Sequence, residues 1–167
     1  MNDGYILNGS IEDKSKDSRT LFSILTGRNQ HILTIVIIGH LLVEYLIDKI
    51  IIAKFEKTNQ ILKKRFSEKI DLLYPNWLPQ SLYKNIKLLN KARNELAHSL
   101  GVDHHEFIIY MHHCDVKTLK IPSKKTKEKF YFRELINTIL FDLVNDSFYS
   151  LNIPNELDLN TLFHSKK

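Results

Sequence analysis

The side chains best suited to chemistry crowd into one stretch, 90-NKARNELAHSLG-101. Arg93 brings a guanidinium, whose rigid fork of donors matches the oxygens of a phosphate. His98 brings an imidazole, a group that titrates near neutral pH and can move protons. Asn94 adds a carboxamide between them, and Lys87 and Lys91 add positive charge nearby. Such a set suits work at a phosphate, and a net charge of +5 with a sequence pI of about 9.2 permits an anionic partner.

Placing the stretch on a helix separates the roles. Leu82, Ile86, Leu89, Leu96 and Leu100 fall on one face, which becomes the core face. Arg93 lies at the edge of that face, whereas Asn94 and His98 share the opposite side with Lys87 and Lys91. Arg93 and His98 are then roughly 140° apart around an ideal helix. An arginine that starts at a core edge needs a carboxylate partner or must run outward along its stem. Glu44 or Asp48 is the expected partner. On the plainest reading, Arg93 is only a core-edge ion pair and His98 an ordinary surface histidine.

The elements that position these residues read as helices. Residues 1–18 are polar and form a loose tail or a short lead-in helix. Ile32 to Phe55 is a long apolar helix; His40, Glu44, Asp48 and Lys49 interrupt it, so it is expected in a bundle rather than in lipid. His40, Glu44 and Asp48 recur every four residues and form one stripe that must find partners. A helix is expected over 61-ILKKRFSEKIDLLY-74, broken by Pro75 and Pro79, then another from about Gln80 to Leu100, stopped by Gly101. The segment 104-HHEFIIYMHHCD-115 fits either a short helix or an extended excursion. A last strong helix spans 128–151, and 152–167 is a polar tail. The expected architecture is an all-α bundle of four to five helices, one domain over 19–151 with an inserted segment at 102–129 before the last helix.

The totals agree with that picture. A chain of 167 residues, 43% hydrophobic and 26% charged, is globular and ample for one core. Only five glycines and four prolines favour long helices over a turn-rich β fold. The single cysteine, Cys114, leaves no internal disulfide, and no secretory signal stands at the start, so a cytoplasmic location is expected. His104, His105, His112, His113 and Cys114 are dense, but their spacing is no recognised metal signature, and no metal or other cofactor is expected. The aromatic residues from Phe130 to Tyr149 recur at helical spacing and read as core, and 123-SKKTKEK-129 reads as a solvated basic loop or a helix entry.

The segment RNELAH, with the apolar glutamate-bearing helix 41-LLVEYLI-47, then 66-FSEKIDLLY-74 and 82-LYKNIKLLNKARNELAHS-99 in that order, resembles the HEPN domain family. The likeness runs over roughly residues 30–100 and is nearest the mannitol operon repressor branch. The resemblance implies an α-helical homodimer, often a metal-independent ribonuclease, with two copies of the motif meeting in a cleft. By position, Arg93 and His98 are the catalytic pair and Asn94 the supporting polar residue. Glu44, Glu95 and Asp48 stand behind them, and Lys87 and Lys91 contact RNA. It further implies a toxin or defence effector restrained by an antitoxin, for instance a minimal nucleotidyltransferase. The alternative is a non-catalytic dimeric regulator or interaction module, in which Arg93 pairs with Glu44 and the motif is structural.

Overall fold

The computed structural model describes residues 11–26, 31–99, 108–111, 114–118 and 124–145. Over them the chain is an all-α bundle of six helices with one two-stranded hairpin: α1 Ile11–Thr26, α2 Ile32–Lys54, α3 Thr58–Leu62, α4 Phe66–Leu73, α5 Gln80–Ser99, β1 Ile108–Met111, β2 Cys114–Thr118 and α6 Lys124–Asp142. The first of these helices begins inside the polar segment read as a tail or lead-in helix.

The long helix α2 is central because its sequence is apolar nearly all round. It packs against α1, α5 and α6, burying Ile35, Val36, Val43, Leu46, Ile47, Ile50 and Ile51 completely or nearly so. Gly39 lets α6 approach closely. A Cβ there would stand 2.8 Å from Cγ1 of Ile136, nearer than side chains pack. From α5 come Leu82, Ile86, Leu89, Ala92 and Leu96, and from α6 Tyr131, Phe132, Leu135, Ile136, Ile139 and Leu140. Arg133 of α6 ties down the C-terminal end of α1, donating from Nη1 to Thr26 Oγ1 at 2.9 Å and from Nη2 to the Thr26 carbonyl at 2.6 Å.

Two segments differ from the periodicity. The apolar positions of residues 61–74 fit one helix on paper, yet the chain breaks at Lys63–Arg65, where Arg65 is extended at ψ 149°. Restarting at Phe66 lets α4 bury Phe66, Lys69, Ile70 and Leu73, while Ile61 and Leu62 stay half-buried. The last helix starts earlier than residue 128, at Lys124, and passes into a π turn over 143–145; 146–151 lie outside the described residues.

The ambiguous segment is extended. β1 and β2 pair antiparallel, Ile108 opposite Thr118, Ile109 opposite Lys117 and Met111 opposite Cys114, with an irregularity between Ile109 and Met111. Ile109 is buried at 2% exposure. The outer edge of β1 is held by helices. Fully buried Asn85 of α5 donates from Nδ2 to the Tyr110 carbonyl at 2.8 Å and accepts from the Tyr110 amide at 2.9 Å. The Tyr131 hydroxyl donates to the Ile108 carbonyl at 3.0 Å. Among the described residues, no helix is long and apolar enough to cross a membrane.

Candidate functional site on helix α5

Arg93, Asn94 and His98 ride the last two turns of α5, and all three are exposed. Arg93 Nη1 donates to Asn94 Oδ1 at 3.0 Å. Arg93 also borders a recess of about 160 Å³ between α2 and α5, lined by Ile37, His40, Leu41, Glu44, Arg93 and Ala97. His98 and Asn94 do not line it. Within one chain, the arginine of RNELAH borders this recess and the histidine does not.

The expected partner of Arg93 is corrected. Glu44 and Asp48 are taken by Lys69 of α4, whose Nζ stands 3.2 Å from Glu44 Oε1 and 2.8 Å from Asp48 Oδ1. Lys69 is only 3% exposed, so its ammonium needs both carboxylates. Burial works to lower its pKa, but the bonds and charges of Asp48 and Glu44 outweigh that and raise it. Phe66, at the start of α4, sits on His40 with ring centroids 4.3 Å apart. Past that point the α2–α5 groove opens as the recess, and Arg93 emerges into solvent instead of closing on Glu44.

The third residue of the stripe, His40, is buried at 5% exposure. Its Nε2 lies 3.2 Å from Asn90 Oδ1, and its Nδ1 lies 3.9 Å from Glu44 Oε2. Burial lowers its pKa below 6.5, and the charge of Arg93 adds to that; the Asn90 bond and Glu44 oppose it without prevailing. His40 and Asn90 belong to the site, yet the motif names neither. The four-residue spacing of His40 from Glu44 was the available signal for His40, whereas nothing in the spacing marks Asn90.

The lysine-bearing side of α5 is already paired. Lys87 Nζ is 2.7 Å from Asp71 Oδ1, which also accepts from the Tyr83 hydroxyl at 2.8 Å. Burial would raise the Asp71 pKa, but the bonds from Lys87 and Tyr83 hold it low. Tyr83 stacks on Tyr74 at 4.3 Å and 22°. Lys91 lies 3.6 Å from Glu95, one turn on. Glu95 thus supports Lys91 in this chain. Among the described residues, no group of three or more His, Cys, Asp or Glu could hold a metal ion. His104, His105, His112 and His113 lie outside the described residues, as does the side chain of Cys114.

Neither a protein-family model, nor a curated protein, nor a solved structure matches this chain.

Proposed function

We propose that the chain is a metal-independent endoribonuclease of the HEPN type, acting as a toxin or defence effector and restrained by a cognate antitoxin. One observation carries the reading. Arg93, Asn94 and His98 are all exposed, and the Arg93 guanidinium rests on Asn94 rather than in an ion pair with Glu44. The regulator reading wants that Arg93–Glu44 pair, and Lys69 occupies its place.

In the reaction the ribose 2′-oxygen attacks the adjacent phosphorus, the bond to the 5′-oxygen breaks, and a 2′,3′-cyclic phosphate remains. Arg93 stabilises the charge gathering on the phosphorane, Asn94 holds the guanidinium or a phosphate oxygen, and His98 moves protons. Because Arg93 and His98 diverge around α5, two copies of the chain share the work across a dimer. Ile37 and Leu41, 40% and 59% exposed beside Arg93, supply the apolar surface such a seam needs.

The test is cleavage of RNA in EDTA by wild type, Arg93→Ala and His98→Ala, with product ends identified. Each variant is expected to fold and to lose activity by about 10²–10⁴-fold. Undiminished cleavage in both variants would overturn the assignment.

A further inference from the structure

Metal-free cleavage at the 2′-oxygen asks for an imidazole near the phosphate-binding arginine, and His98 does not line the recess that Arg93 borders. Another histidine does. His40 projects from α2 into the same recess, with Arg93 across it on α5 and Glu44 one turn along its own helix. The apolar rim of Ile37, Leu41 and Ala97 leaves the recess open to a strand lying over the α2–α5 groove.

We propose that His40 is the proton acceptor for the ribose 2′-hydroxyl, working with Arg93 of the same chain. This rests on the ribonuclease reading above and adds to it a group that the RNELAH motif does not contain.

The hydrogen-bonding arrangement specifies the atom. Asn90 Oδ1 is an acceptor, so at 3.2 Å it takes the Nε2 proton of His40 and leaves the lone pair on Nδ1. Nδ1 is the edge that faces Glu44 Oε2 at 3.9 Å. At rest, burial and the positive charge of Arg93 lower the pKa of the ring and so favour the neutral form, which can accept. As the 2′-oxygen bonds to phosphorus, its proton passes to Nδ1. The imidazolium so formed lies between the Asn90 carbonyl and the Glu44 carboxylate, both of which favour it. The bond from phosphorus to the 5′-oxygen breaks, and the departing oxygen takes a proton from His98 across the dimer. One histidine accepts and the other donates, so the two protons balance.

The charged groups around His40 come from three helices. Glu44 and Asp48 share α2, Arg93 lies on α5, and Lys69 on α4 neutralises the side of Glu44 turned from the recess. Phe66 packs against the ring at a tilt of 55°. Lys69 holds Glu44 in place by its Oε1, leaving Oε2 turned toward His40.

The experiment compares wild type, His40→Gln and His98→Ala in single-turnover cleavage across pH 5–8, with binding of a non-cleavable 2′-deoxy oligonucleotide measured alongside. Glutamine keeps a donor for Asn90 but cannot accept the proton. The expected result for His40→Gln is a loss of about 100-fold or more, unchanged oligonucleotide binding, and disappearance of the acid limb of the wild-type pH–rate profile. In parallel, the His40 imidazole of wild type is followed by NMR while the same oligonucleotide is added. Its signals are expected to move, and this arm holds even where the glutamine variant folds poorly. A His40→Gln enzyme that keeps the rate and the acid limb overturns the proposal, as does an imidazole that ignores the oligonucleotide. If His98→Ala is dead while His40→Gln is intact, the role of His40 fails and the ribonuclease reading stands. A wild type that cleaves no RNA removes both.

Discussion

Lys69 carries more of the local order than its position in a short helix suggests. Its ammonium is set between Glu44 and Asp48, which stand one turn apart on α2 and would repel each other without it. Breaking a fully buried ion pair costs roughly 3–5 kcal/mol. Because the Glu44 and Asp48 side chains keep 32% and 30% of their surface, Lys69→Met is expected to lower stability by about 2 kcal/mol. The lysine pKa is raised in the folded chain, so its contribution is whole below 10.5 and fades as pH climbs through the higher folded value. Urea unfolding of wild type and Lys69→Met at pH 8 and above 10.5 checks this. The gap between them should narrow at the alkaline end, and a gap that stays constant would mean the ammonium is not what stabilises the site. The sequence made the stripe of His40, Glu44 and Asp48 legible and required that something face it. It did not say what. Arg93 and Lys69 are both cations at helical core edges, and the choice between them depends on how α4 lies over α2, which no spacing within one helix encodes.

At the scale of elements, Asn85 and Tyr131 pin β1 to the helices, Asn85 by two bonds. The carboxamide of Asn85 pairs with both backbone groups of Tyr110, as a neighbouring strand would, from a site with no solvent access. Asn85→Ala leaves a half-buried amide and carbonyl without partners, a loss of about 2 kcal/mol. Amide exchange at Tyr110 should quicken well beyond that at helix-core amides such as Leu89, and equal protection at both would show that β1 is held otherwise. Helix α5 was readable because its apolar residues repeat with the helical period, and α2 because it is a long apolar run with few interruptions. The hairpin was not, because 108-IIYM-111 is apolar without alternation and β1 is flanked on one edge by an asparagine rather than by a strand. The break at Lys63–Arg65 was equally hidden, since Ile61, Leu62, Phe66, Ile70 and Leu73 satisfy an unbroken helix.

For the molecule as a whole, the proposed dimer needs an apolar surface that a second copy could cover. Apart from Ile37 and Leu41, α2 also exposes Tyr45 at 40% and Ile52 at 54%, an apolar run along one side of the most hydrophobic helix. If the proposed dimer closes over this side, Leu41→Arg should yield a folded monomer in sedimentation velocity and, under the shared-cleft reading, little RNA cleavage. A dimer unaffected by that charge would place the seam elsewhere. The all-α class was legible from composition and period; the path of the groove was not, because it depends on how α4 lies over α2.

The pairing of the α5 lysines has a thermodynamic consequence. Lys87 is held by Asp71 and Lys91 by Glu95, so a phosphate arriving at either lysine exchanges one carboxylate for another anion. Counter-ion release, which makes nucleic-acid binding fall steeply with salt, comes from neutralising nucleic-acid phosphates, at roughly 0.7 units of log–log slope per single-strand contact. Here part of that gain is returned when Asp71 and Glu95 are set free to gather cations of their own. Under the proposed function, the affinity of this face for RNA would depend less on ionic strength than its lysines suggest, and selectivity would rest on the arginine at the recess.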